Sequence, residues 1–189
     1  MIHFSSVTKA YGSRSVLDRI TLQIEGGEFV TLIGPSGAGK STLLHALIGM
    51  TPISKGSITV DGYEITAFAP DALQEYRRKI GIVFQDYKLL PHKTVYENVA
   101  FALEVCGWKE ADIRPRVMEV LGKVGMSEHE GKLPEQLAGG ELQRTAIARA
   151  LVHHPRLLIA APTFAPCKIC SATPPSPPRK STRTSLTST

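Results

Sequence analysis

The sequence predicts an α/β fold with a parallel core sheet, an antiparallel β subdomain at the N-terminus and a helical insert. Three observations carry that expectation. A glycine-rich loop, Gly34-Pro35-Ser36-Gly37-Ala38-Gly39-Lys40-Ser41-Thr42, stands between the apolar run 29–33 and the apolar run 43–48, in the order strand, loop, helix. Around it, segment 20–24 alternates and 2–7 partly alternates as half-buried strands do, while 57–60 and 63–66 flank the hairpin dipeptide Asp61-Gly62. Finally, helical periodicity over 94–125 separates two short apolar runs, 80–84 and 156–160, of the kind buried in parallel sheets.

Taken in order, residues 2–33 form the β-rich start, and Gly26-Gly27 turn the chain into the strand that precedes the loop. Tyr11 falls in the connection between the first two strands, where an aromatic either covers a core edge or stacks on a nucleotide base. The loop has the form G-x-x-x-x-G-K-[ST]. Its glycines let successive N–H groups converge on an anion, and the following helix adds partial positive charge. Lys40 brings a full charge for the outer phosphates, and the Ser41 hydroxyl suits Mg²⁺.

Beyond the loop, Asp61-Gly62 suits a two-residue hairpin turn, because both positions need positive φ. A helix is expected over 71–79, then a buried strand over 80–84 that ends on Gln85. That glutamine is either a polar stop or a ligand for Mg²⁺ or an attacking water. Ile113, Val117, Val120, Leu121 and Val124 share one helical face, with Pro115 placed in a first turn. Ala138-Gly139-Gly140-Glu141 opens a helix reaching about residue 153, and its glycine N-terminus is either a plain helix start or a second anion site. Pro155 ends that helix.

After Ala161 the chain changes character. Every glycine and every acid lies at or before Glu141, whereas the tail carries Pro166, Pro174, Pro175, Pro177 and Pro178 among Ser and Thr. Such a segment buries too little apolar surface to offset its ordering entropy, so 164–189 is expected to be disordered. Four of the five net positive charges reside there: Lys168, Arg179, Lys180 and Arg183 belong to the tail, leaving 18 basic against 17 acidic residues, or +1, in the body. Nothing in that balance points to nucleic acid. Cys106, Cys167 and Cys170 are too few for a disulfide framework, and Cys167-x-x-Cys170 lacks a second pair for zinc. No apolar run is long enough to span a membrane and no leader is evident, so a cytosolic chain is expected.

With these pieces placed, residues 1–160 resemble the ABC-type ATPases of the P-loop NTPase class. Gly34 through Thr42 match Walker A, Val83-Phe84-Gln85-Asp86 the Q-loop, and Leu137-Ala138-Gly139-Gly140-Glu141-Leu142-Gln143-Arg144 the ABC signature. Lys88-Leu89-Leu90-Pro91 and Thr94-Val95-Tyr96-Glu97-Asn98-Val99-Ala100 look most like the FtsE-type cell-division branch, ahead of lipoprotein-release and macrolide exporters. The resemblance implies a nucleotide-binding domain over 1–163 with a helical subdomain at about 88–145. It implies ATP and Mg²⁺ as cofactors, Tyr11 stacked on adenine, and Ser41 and Gln85 at the metal. Ala138, Gly139, Gly140 and Glu141 would act in trans on the ATP of a second copy in a head-to-tail homodimer. An integral membrane partner of the FtsX type would hold the chain at the cytoplasmic face of the inner membrane.

Departures from the family pattern matter equally. Ala138 stands where the signature usually has Ser, and Leu142 where it has Gln. After Ile159-Ala160 the family continues Asp-Glu-Pro-Thr, supplying the Walker B aspartate and the water-activating glutamate. This chain reads Ala161-Pro162-Thr163, and the switch histidine is absent as well; His153 and His154 lie upstream of its place. No catalytic residue is therefore expected to be retained, and the core reads as truncated. Reading 175–186 one base earlier gives Glu-Pro-Thr-Ala-Gln-Val-Asp-Pro-Asp-Leu under suitable third bases, which suggests a frameshift. A non-hydrolysing nucleotide-binding or regulatory module is the rival function; a small-molecule kinase has no use for the signature.

Overall fold

In a computed structural model, the described residues are 1–160, together with the strand backbones 167–171 and 182–185. The chain divides into two units, 1–77 with 164–189, and 78–163.

In the first unit, β1 (Ile2–Tyr11) pairs antiparallel with β2 (Arg14–Ile24) on one side and with β4 (Lys55–Val60) on the other. β5 (Tyr63–Glu64) completes the sheet order β2-β1-β4-β5. Alternation buries Ile2, Phe4 and Val7 of β1, Ile24 of β2 and Ile58 of β4 on one face. The turn into β5 is as expected, with Asp61 at φ 49° and Gly62 at φ 85°. β3 (Phe29–Ile33) leads through the glycine loop to α1 (Lys40–Leu47), whose Leu43, Leu44 and Leu47 are buried. α2 (Pro70–Arg78) follows a short 3₁₀ turn.

Two segments of the stretch expected to lack regular structure run as strands beside β3. β8 (Cys167–Ser171) pairs antiparallel, with Phe29 opposite Cys170, and β9 (Thr182–Ser185) pairs parallel, with Val30 opposite Thr182. The physical reason is that β3 otherwise presents unpaired N–H and C=O groups, while Ile and Thr in these segments suit an extended backbone. The remainder of the expected disordered tail, its proline cluster included, lies outside the described residues, as do Ala161-Pro162-Thr163.

The second unit contains the parallel pair β6 (Ile80–Val83) and β7 (Leu157–Ala160), in register Ile80 to Leu157. Between them come α3 (Val95–Val105), α4 (Glu110–Lys123) and α5 (Gly139–Leu151). The helical stretch expected over 94–125 is thus two helices, broken where Gly107 takes φ 76°. Pro115 is the sixth residue of α4 and not in its first turn. The helix tolerates it because Ala111, whose carbonyl loses its donor, faces solvent. Val99, Leu103, Val117, Leu121, Met126 and Val152 form the core where these helices meet. A Cβ at Gly81 would collide with the Ala150 carbonyl oxygen, so α5 lies hard against β6.

Asn98 is a fully buried polar side chain within that core. Its Oδ1 accepts from Leu90 N–H at 2.7 Å, and its Nδ2 lies 3.1, 2.8 and 3.0 Å from the carbonyls of Leu90, Lys93 and Thr94. It organises the loop entering α3, which Thr94 and Glu97 cap reciprocally. Asn98→Ala should therefore lower the unfolding free energy by about 2–4 kcal/mol, because buried backbone groups lose their partners. Urea denaturation checks this, and a loss below about 0.5 kcal/mol would sink the argument.

Candidate nucleotide site

β3 delivers the loop and α1 receives it. Gly39 is the residue before α1 and sits at φ 84°, ψ 4°, a left-handed conformation that glycine enters without a side-chain clash. A Cβ there would lie 2.8 Å from both the Val16 carbonyl oxygen and Leu17 Cδ2, so the loop packs its backbone against β2. Gly37 is also left-handed, at φ 83°, but a Cβ there meets nothing within 4 Å. The loop is thus tight at its root and open at its mouth.

Lys40 is half-buried, and its Nζ donates to the Gly34 and Pro35 carbonyl oxygens, each at 2.8 Å. That holds the ammonium across the loop, where phosphate oxygens of higher charge can replace the two carbonyls. α1 has no acidic residue in its first turn, which leaves its N-terminal partial charge unopposed. Ser36, Gly37 and Ser41 are exposed, whereas Ala38 and Thr42 are half-buried. Shape and charge both fit a polyphosphate.

The opposite end of α1 is held by groups that inspection of the sequence did not single out. Tyr76 donates its hydroxyl to the Leu47 carbonyl at 2.8 Å, while Arg77 donates to Ile48 and Gly49 at 3.0 and 2.7 Å. A cation at a helix C-terminus complements the dipole. Burial, reinforced by the charge of Asp61, pushes the Tyr76 phenol above its ordinary range, so it remains a donor. Only the adjacency of Tyr and Arg on an otherwise polar helix hinted at this.

Tyr11 is the last residue of β1, paired with Arg14 across Gly12-Ser13, and not a loop residue as expected. The hairpin register extends the strand up to the turn. Tyr11 is 53% exposed, with Lys9 Nζ 4.7 Å from its ring centroid. Val16 and Leu17 of the same hairpin touch the site of Gly39, so Tyr11 is carried on the element that buttresses the loop.

The other sequence-derived candidates belong to the second unit. Gln85 is exposed just past β6. Ala138 is the N-cap of α5 at φ −69°, ψ 159°, and offers no side-chain acceptor. Gly139 and Gly140 are exposed in the first turn. Glu141 turns back, its Oε2 accepting from Ala138 N–H at 2.8 Å, with Oε1 3.5 Å from His129 Nε2. The hydrogen bond from Ala138 N–H, aided by the charges of His129, Lys132 and Arg144, holds the Glu141 carboxyl below its usual range. A carboxylate thus occupies part of the positive end of α5. His153, half-buried two residues past the end of α5, is held below the ordinary histidine range by burial.

A family profile described as ABC transporter matches residues 17–161. The chain is 45% identical over 161 residues to the cell division ATP-binding protein FtsE of Streptococcus pneumoniae serotype 2, covering 85% of this chain and 70% of that one. It is 43% identical over 159 residues to the spermidine/putrescine import ATP-binding protein PotA of Aggregatibacter actinomycetemcomitans, covering 84% and 41%. Among solved structures it resembles the ATP-binding cassette MJ0796, dimeric and bound to ADP and Pi, with TM-score 0.79, 36% identity, and 87% and 75% of the two chains covered.

Proposed function

We propose that this chain, which belongs to the ABC transporter family as an ATP-binding subunit, serves a cell-division complex with an integral membrane partner of the FtsX type. The observation that carries nucleotide binding is the loop: a left-handed Gly39 backed against β2, with Lys40 spanning its carbonyls. In this reading residues 34–42 wrap the phosphates, Lys40 bonds the outer ones, and Ser41 and Gln85 hold Mg²⁺. Tyr11 stacks on adenine, and 138–141 face the ATP of a second copy. Residues 1–163 constitute the nucleotide-binding domain. The bound Mg²⁺ would neutralise phosphate charge; the residues of this chain bind and orient the nucleotide.

The cell-division assignment is supported by the 45% identity to FtsE over 161 residues, beside 43% to PotA over 159. The exposed apolar residues Phe101 and Val105 of α3, one helical turn apart, suit a helical insert that meets a membrane partner. No helix among the described residues is long and apolar enough to cross a membrane, and a separate membrane subunit would supply the spans.

A second reading, a nucleotide-binding module that does not hydrolyse, is favoured by Ala161-Pro162-Thr163 in place of the paired carboxylates. Isothermal titration with ATP, with and without Mg²⁺, followed by phosphate release separates the two: binding with no turnover supports the module. A photocrosslinker at Phe101 should capture an FtsX-type protein in preference to a spermidine permease. Equal capture of both would overturn the cell-division assignment.

A further inference from the structure

We propose that Arg149 is a positioning residue for Gln85: by gripping two main-chain carbonyls just beyond that glutamine, it fixes the turn that carries it and ties the turn to α5. The proposal rests on the reading of Gln85 as a metal-facing group. Arg149 Nη2 donates to the Tyr87 carbonyl at 2.6 Å and Nη1 to the Lys88 carbonyl at 2.7 Å. Those carbonyls lie two and three residues past Gln85. Tyr87 and Lys88 are both left-handed, at φ 58° and 48°, and neither is glycine. Two consecutive L-residues in that region persist only where their surroundings hold them.

Local bonds alone are modest holders. Tyr87 N–H reaches Phe84 O at 3.1 Å, Lys88 N–H reaches Asp86 O at 2.6 Å, and the exposed Lys88 side chain pairs with exposed Asp86 at 2.7 Å. The guanidinium adds a rigid fork that matches two carbonyls at once, which a lysine ammonium cannot reproduce. Around it, Tyr87 and Leu89 pack on Val83, Ala146 and Ala150, so the turn is seated on α5 by apolar contact as well. Arg149 lies eight residues after Glu141 on that helix, about two turns away. A shift of α5 is thereby transmitted to the main chain next to Gln85.

Hydrogen exchange on the full chain tests this. Arg149→Met should speed exchange at Tyr87 and Lys88 by about tenfold or more while Val117 and Val120 of α4 stay protected, with Arg149→Lys intermediate. Adding Lys88→Gly to Arg149→Met should restore slow exchange, because glycine is at home at that φ. In parallel, the tightening of ATP binding by Mg²⁺ should shrink in Arg149→Met with Mg²⁺-free affinity unchanged. If Arg149→Met does not fold, Arg149→Lys and its Lys88→Gly double variant are compared instead. Unchanged exchange at 87–88, or equal loss of protection across α4, overturns the proposal. If Mg²⁺ tightens ATP in the wild-type chain and equally in a variant whose turn has loosened, the positioning role falls while Gln85 keeps its reading. If Mg²⁺ adds nothing in the wild-type chain, the reading of Gln85 falls and the proposed role of Arg149 with it.

Discussion

Given ATP and Mg²⁺, the purified 189-residue chain should retain nucleotide yet release phosphate at least about 100-fold more slowly than a cassette carrying the full Asp-Glu-Pro-Thr sequence. Phosphoryl transfer to water rests on positioning and charge stabilisation rather than on covalent chemistry. On the proposed reading, the loop 34–42 and Lys40 would supply the ground-state part of that work, since they would meet the phosphates before and during transfer alike. What distinguishes the transition state is an oriented, activated water and a metal held in place behind the γ-phosphate. A general base alone is worth roughly 10²–10⁴ in rate, and the chain has Ala161-Pro162 where the aspartate and glutamate belong. If 138–141 face the ATP of a second copy as proposed, Ala138 would add a second deficit: a hydroxyl bond to a charged phosphate, worth about 1.5–3 kcal/mol, would have no donor. The measurement is single-turnover phosphate release at saturating ATP beside a full-length family member. Turnover within tenfold of that reference would refute the expectation. DNA sequence through codons 159–186 then decides whether the Glu-Pro-Thr run exists in an alternate frame.

The elements that were legible are those whose signal is local. Residues 34–42 announce strand, turn and helix because glycine at a left-handed position, lysine at a helix start and flanking apolar runs each have one structural use. Asp61-Gly62 was readable for the same reason, its two positive φ angles being written in two adjacent residue types. Contacts between distant segments were not legible. The adjacency of Tyr76 and Arg77 on a polar helix does not by itself say that their side chains close the far end of α1, 28 and 29 residues upstream, and Arg149 reaches back 61 and 62 residues. Asn98 was visible as part of a word shared with one branch of the family, yet its four contacts to a preceding loop require the fold. The helical character of 94–125 was legible from its apolar spacing, but the break into two helices at Gly107 was not. β8 and β9 escaped because composition reports what a segment can bury, and strand addition beside β3 depends on main-chain bonds that any non-proline residue can make.

Gly39→Ala should be the most damaging single substitution in the loop, and Gly37→Ala is its control. Both residues are left-handed, at φ 84° and 83°, so alanine at either incurs the same conformational penalty of about 1–2 kcal/mol. Only Gly39 faces a wall. Its new methyl would stand 2.8 Å from the Val16 carbonyl and from Leu17, and a backbone oxygen cannot swing aside as a side-chain end can. Val16 belongs to the β1–β2 hairpin, whose register sets Leu17 against Lys9 and Ser15 against Ala10. Retreat of that oxygen would disturb the sheet as well as the loop. Overpacking adds about 1–3 kcal/mol, so Gly39→Ala should lose about 2–5 kcal/mol of stability against 1–2 for Gly37→Ala. Nucleotide affinity should fall in the same order, because displacing Gly39 moves Lys40 and the N-terminus of α1 away from the phosphates together. Denaturant titrations and ATP titrations on both variants supply the comparison. Equal losses would mean that β2 does not buttress the loop, and the account of how the N-terminal sheet shapes the phosphate site would fail with it.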